Sequence, residues 1–130
     1  MSVKLIQRSA TTGIIEEVLL EPLTVIDKTD DYLVVVGDSR KVLTMSYATL
    51  KTFTLPVITS NDIGTHFTFV KKGAGKVTIQ ANTGQTIDGS GIAGTIYNDQ
   101  AGETYATISM VAISTTQWVI TGYYGTWTTT

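Results

Sequence analysis

The sequence contains no cysteine, which excludes a disulfide framework, a thiolate metal site and a cysteine nucleophile. It contains a single histidine, so a zinc centre or a Ser-His-Asp triad has too few parts. Charged residues make up only 15% of the chain, against about a quarter in ordinary globular proteins. No apolar run is long enough to span a membrane, and Met1 to Arg8 lacks the hydrophobic core of a secretory signal. The net charge of −2 argues against nucleic acid as a partner, which would call for a basic face.

In place of charge there is threonine and glycine. The branched Cβ of threonine suits a pleated strand, and glycine suits the turns between strands. Composition therefore predicts an all-β protein. At 130 residues the chain is long enough for one domain with a real core. The division expected is an N-terminal arm over 1–31 and a β-module over 32–130. Charge is also unevenly placed. Every Lys and Arg lies at or before Lys76, and from Val77 to Thr130 the charged side chains are Asp88, Asp99 and Glu103. So long a stretch with little charge needs cover from identical neighbours, or a polar-neutral surface of Thr, Gly and Tyr. Both point to assembly or recognition.

Along the chain, Ile14–Leu20 has helical spacing but is short and stops before Pro22, so it reads as a strand or a short helix. Asp27–Asp31 is a turn. Tyr32–Val36 is a β-branched run closed by Gly37–Ser39, with Lys41–Met45 expected as its hairpin partner. Tyr47–Leu50 suggests a brief helical turn, Thr52–Leu55 a strand, and Ser60–Gly64 a capped turn. Phe67 and Phe69 alternate with Thr68, and Val77, Ile79 and Ala81 alternate with Thr78 and Gln80. Asn82–Gly84 turns the chain, Gln85–Ile87 is a short strand, and Asp88–Gly94 is a glycine-rich loop. Two longer strands, Thr104–Ile113 and Gln117–Tyr123, close the sequence. Short strands at this spacing predict a β-sandwich or jelly-roll-like module. In Thr104–Ile113 both faces carry apolar side chains (Ala106, Ile108 and Met110 on one; Tyr105, Val111 and Ile113 on the other), which suggests a subunit interface.

Candidate chemistry is sparse. His66 sits opposite Phe67 and Phe69 and reads as a solvent-facing strand residue. Gly89–Gly94 matches the dinucleotide pattern GxGxxG, but Thr95–Tyr97 follows where that motif requires a helix. Lys72–Lys76 lacks the first glycine and the Ser/Thr of a phosphate loop and reads as a hairpin turn with solvated lysines. Asp27, Asp30 and Asp31 lack the alternating spacing and glycine of a calcium loop. No catalytic residue, cofactor or metal ligand is therefore assigned. The aromatic set Tyr123, Tyr124 and Trp127 stands out. Aromatic faces beside hydroxyl groups suit sugar stacking, and equally suit packing into the core or a subunit boundary, the reading favoured here.

Two stretches resemble proteins of bacteriophage particles. Asp30 and Asp31, the strand Tyr32–Val36, the turn Gly37–Ser39, the strand Lys41–Thr44 and a terminal Leu50 resemble a short segment of phage tail-fibre and tailspike proteins. From Phe53 to Gly125, the sequence resembles a β-module at the ends of such fibres. Leu55-Pro56, Asn61–Gly64, the Phe67/Phe69 strand, Gly75–Ile79, Thr86–Gly89 and Gln117–Val119 carry this second likeness. The resemblance implies a β-sandwich-like homotrimer on the virion surface, in contact with other phage virion proteins or with host surface glycans, and implies no catalytic residues. The long repetitive shaft of a tail fibre is missing. That favours a capsid decoration protein or head fibre over a tail-fibre tip, with the N-terminal segment as the attachment arm.

Overall fold

The computed structural model describes residues 22–130 in full and, within 1–21, the backbone pairing of two strands. These are β1 (Val3–Arg8) and β2 (Ile15–Leu20), antiparallel with Val3 opposite Leu20, so Ile15–Leu20 is strand and not helix. The rest of the described chain is a β-sandwich of two mixed sheets. The strands are β3 (Val25–Lys28), β4 (Tyr32–Leu33), β5 (Val42–Met45), β6 (Lys51–Thr54), β7 (His66–Lys71), β8 (Val77–Gln80), β9 (Thr86–Ile87), β10 (Thr95–Asn98), β11 (Ala106–Ala112), β12 (Gln117–Tyr124) and β13 (Thr128–Thr129). The larger sheet has six strands in the order β3-β5-β7-β11-β12-β9, and the smaller has five in the order β13-β10-β8-β6-β4. Because β3 is an edge strand of the larger sheet, described sandwich structure begins ahead of Tyr32.

From β3 to β8 each strand lies in the sheet opposite its predecessor, and strands stack in parallel on those two places earlier. The chain thus winds in arches. The expected hairpin between Tyr32–Val36 and Lys41–Met45 does not form: β4 pairs with β6 in one sheet, and β5 pairs with β3 and β7 in the other. Its supposed turn is a short 3-10 segment, Val36–Asp38. There the Asp38 carboxylate accepts the Val35 N–H (3.2 Å) and the Tyr32 hydroxyl (2.8 Å) and sends the chain across the sandwich. Lys72–Lys76 is likewise an arch between sheets and not a hairpin turn. Tyr47–Leu50 contains a bend where a helical turn was expected. From β7 onward antiparallel pairing predominates, β7 with β11, β11 with β12, and β8 with β10, while β9 lies parallel to β12.

One constraint sets both sheets together. The offset is 26 positions between β5 and β7 of the larger sheet (Val42 to Thr68) and also 26 between β6 and β8 of the smaller (Lys51 to Val77). The intervening arches therefore match residue for residue. Gly73 lies on Tyr47 and Gly75 on Thr49, with the Gly75 N–H donating to the Tyr47 carbonyl at 3.0 Å. A Cβ on Gly73 would stand 2.7 Å from Tyr47 N, and one on Gly75 2.6 Å from Thr49 N. Only glycine permits this approach.

Period-two alternation delivers the core. Phe67 and Phe69 on β7, Ile108 and Met110 on β11, Leu43 and Met45 on β5, and Trp118 on β12 meet Phe53, Ile79 and Ile96 of the smaller sheet, all essentially inaccessible. Phe69 packs on Phe53 at 4.9 Å between ring centroids, and Phe67 stacks on Trp118 at 5.7 Å. The one indole edge in this core is satisfied by Gln85: Trp118 Nε1 donates to Gln85 Oε1 at 3.0 Å, while Gln85 Nε2 donates to the Pro56 carbonyl at 3.1 Å. At the arch end, Lys71 is fully buried and its Nζ donates to the carbonyls of Gly73 (3.0 Å) and Gln100 (2.8 Å). Burial pushes the Lys71 ammonium below its usual pKa, with the nearby Glu103 acting in the opposite direction.

Three substitutions test this packing. Gly73→Ala forces the stacked arches apart and should lower the unfolding free energy by about 2–3 kcal/mol in urea titrations. Gly102→Ala, where a Cβ meets nothing within 4 Å, should change it by no more than about 0.5 kcal/mol. Gln85→Ala strands the Trp118 N–H and the Pro56 carbonyl in the core and should cost about 3 kcal/mol by the same measurement.

Candidate functional site

The aromatic C-terminus is shaped by a β-bulge. Along β12, Trp118 and Ile120 face the core opposite Ala112 and Met110 of β11. Between Met110 and Ser109 the register shifts, so that Ile120 pairs with Met110 but Gly122 with Ser109, leaving Thr121 as the extra residue. Beyond the bulge the alternation is inverted. Tyr123 now pairs with Ile108, a core residue, and stands on the inner side of the sheet. Tyr124 pairs with Thr107 on the outer side.

Tyr123 does not become core by this turn, because the sandwich is open there. β9 covers β12 only at Gln117 and Trp118, and the smaller sheet ends at β13. Between the two edges lies a cleft of about 200 Å³ lined by Asp88, Ile96, Ile108, Ile120, Tyr123, Trp127 and Thr129. Its floor is isoleucine from both sheets, and its walls are the tyrosine and the indole. Trp127 is held in place by its Nε1–H, which donates to the Tyr124 carbonyl at 3.0 Å, across a turn in which Gly125 has φ +103°. The Thr126 N–H in that turn is held by both oxygens of Glu103, each at 2.9 Å. Asp88 lies at the start of the glycine-rich loop with φ +46°, unusual for a residue with a side chain, and its N–H donates to the Trp118 carbonyl at 2.9 Å. Among the described residues its carboxylate has no hydrogen-bond or ion-pair partner.

The three aromatic residues singled out from sequence are thus divided. Tyr123 and Trp127 share the cleft; Tyr124 faces away and contributes its backbone carbonyl. Tyr123 and Tyr124 are each 70% exposed, so within one chain neither packs into the core, and only Trp127 is partly buried against it. Asp88, Ile96, Ile120 and Thr129 were not anticipated as neighbours. Asp88 had a visible signal, being the sole charged residue between Val77 and Asn98, but its position beside Trp127 depends on the pairing of β9 with β12.

The other sequence candidates lie apart from this cleft. His66 is exposed on β7, its Nδ1 3.2 Å from the Gly64 carbonyl. Gly89–Gly94 is a turn-rich loop leading into β10, with no helix after it. Lys72 pairs with Asp27 at 3.7 Å, and Lys76 lies over the Tyr97 ring at 4.0 Å. Asp27, Asp30 and Asp31 do not converge. Asp27 accepts from the hydroxyls of Thr44 and Ser46, Asp30 from Lys51 at 3.0 Å, and Asp31 from the Thr52 N–H at 2.8 Å. No group of three or more His, Asp or Glu able to hold a metal occurs among the described residues.

These bonds set the acid response. Thr44 and Ser46 hold the Asp27 carboxyl below its ordinary value of 3.8, Lys51 does so for Asp30, and Thr59 does so for Asp62. A carboxylate with a lowered folded-state pKa contributes stability that is complete above its unfolded value and is lost as pH falls through the folded one. The melting temperature should therefore fall as pH drops below about 4. In an Asp27→Asn variant the acid-dependent part of that fall should be smaller, as read by thermal melts from pH 7 to pH 2.

Comparison with protein-family models, with curated proteins and with solved structures finds no match to this chain.

Proposed function

We propose that this chain is a non-enzymatic structural protein of a bacteriophage particle, a capsid decoration protein or head fibre that stands on the virion surface as a homotrimer. The phage-like order of segments from Asp30 to Gly125 suggests the setting. The observation that carries the self-association is the outer face of the larger sheet. There Val42, Thr68, Val70, Thr107, Ser109, Val111 and Val119 lie side by side across β5, β7, β11 and β12, half-exposed or less and without a charge among them. A sheet face of valines and hydroxyls has little reason to exclude a like face, and the carboxylate at its margin, Asp27 on β3, is already paired with Lys72. This also gives the low charge after Lys76 a use. Copies of the chain cover part of that surface, and the segment ahead of β3 is the attachment arm to the particle.

A second reading is a tail-fibre tip or carbohydrate-binding module that recognises host glycans, and the cleft of Tyr123 and Trp127 favours it. The two readings are separated by where the protein sits. Gold-labelled antibody to the chain should decorate the heads of intact particles; label confined to the tail end would overturn the head assignment.

The solution mass tests the assembly. Light scattering behind a sizing column should give a trimer for the natural chain and a monomer for Val111→Lys, with the far-ultraviolet circular dichroism of the two alike. A natural chain that runs as a monomer overturns the self-association.

A further inference from the structure

We propose that the cleft between the edges of β12 and β13 is a binding site for a single neutral pyranose ring, with Trp127 and Tyr123 against the ring's apolar face and Asp88 accepting hydrogen bonds from its hydroxyls. This deepens the recognition reading above and does not depend on where on a particle the protein sits.

Size restricts the occupant first. The cleft, at about 200 Å³, exceeds the roughly 150 Å³ of an apolar cavity that accepts a benzene ring and falls short of the roughly 300 Å³ at which pockets for drug-sized ligands begin. The covered part of the cleft accommodates one six-membered ring. The lining then restricts the chemistry. Ile96, Ile108 and Ile120 with the two aromatic residues form an apolar floor and walls, while Asp88 and Thr129 are polar lining groups. A ring that is apolar on its faces and hydroxylated at its rim satisfies both, whereas a purely aliphatic group would offer Asp88 and Thr129 no hydrogen-bond partner.

Charge completes the argument. Asp88 is the one ionisable acid or base in the lining apart from the tyrosine phenol, and no Lys or Arg occurs after Lys76 in sequence. An anionic sugar, a uronic or sialic acid, would meet a carboxylate with no cation in the lining to offset it. Neutral hydroxyls donate to that carboxylate without penalty. One wall is also fixed in advance. The Trp127 indole is tied to the Tyr124 carbonyl, so it loses little side-chain freedom on binding, while the bulge at Thr121 places Tyr123 on the inner side.

The test uses the full chain and the methyl glycosides of glucose, galactose, mannose and N-acetylglucosamine, with glucuronate as the charged counterpart. Saturation-transfer NMR and amide shift titration should show at least one neutral glycoside binding with a dissociation constant on the order of 1 mM, and glucuronate binding more weakly. Trp127→Ala and the surface variant Asp88→Asn should each weaken binding by about tenfold or more, while Tyr105→Ala, which alters an exposed aromatic residue outside the cleft, should not. Asp88→Asn keeps the test valid should Trp127→Ala unfold. Binding that survives both cleft variants would keep glycan recognition but remove this site. Absence of binding to any glycoside would overturn the site and the recognition reading together, leaving the virion structural reading to the labelling experiment. Preference for glucuronate would overturn the neutral-ring assignment.

Discussion

The fold depends on the close stacking of the arch at Lys71–Lys76 on the arch at Met45–Lys51. Each arch links a strand of one sheet to a strand of the other, so its length fixes the relative register of the two sheets. Because Gly73 and Gly75 bring backbone onto backbone, the same offset of 26 positions is kept on both sides of the sandwich. A slip of one position in either sheet would turn every inward side chain of the slipped strand outward. Phe67 and Phe69, or Val77 and Ile79, would then leave the core. Two residues without side chains thus protect the placement of the largest side chains in the protein.

The same arch explains where polar groups are allowed inside. Lys71 lies on the inner side of β7 in the position where an apolar residue would continue the pattern, and its ammonium closes the end of the core by binding two loop carbonyls. Nearby, Asn98 is buried with its Oδ1 accepting the Gln100 N–H at 3.0 Å, while its Nδ2 has no partner among the described residues. At the opposite side of the core, Gln85 reconciles Trp118 with Pro56. Side-chain amides and an ammonium thus satisfy backbone and indole groups at the ends of the sandwich, where strands stop and carbonyls would otherwise be left unpaired.

How much of this could be read in advance varies with the physical rule involved. The strands Phe67–Phe69, Val77–Ala81 and Thr104–Ile113 were legible because alternation and β-rich runs are local properties. Partners were not legible. Tyr32–Val36 and Val42–Met45 look like the two arms of a hairpin, yet alternation specifies which side chains face inward and says nothing of which sheet a strand joins. The 3-10 segment held by Asp38 decides that, and its signal (a carboxylate three residues beyond Val35) resembles any other polar turn. The candidate site was half legible. Composition drew attention to Tyr123, Tyr124 and Trp127 as one group. Continuing the alternation from Trp118 and Ile120 would have pointed Tyr124 inward, and the bulge at Thr121 selects Tyr123 instead. Asp88 entered the site through the pairing of β9 with β12, a contact between segments some thirty residues apart that no local pattern encodes.

The bulge also bears on how an edge as long as β12 can be left open. Past Trp118 the strand has no described partner on its free side, and it carries no lysine or proline to discourage another chain from pairing with it. A bulge kinks and twists such an edge away from a flat template, and the following Gly122 weakens it further as a strand. One irregularity therefore has two consequences. It discourages indiscriminate edge-to-edge pairing, and it turns a tyrosine toward the gap that the unpaired edge leaves open. An assembly through the outer face of the larger sheet and a ligand in the cleft would then use different surfaces of the same strand, the first through the outward side chain of Val119 and the second through Tyr123.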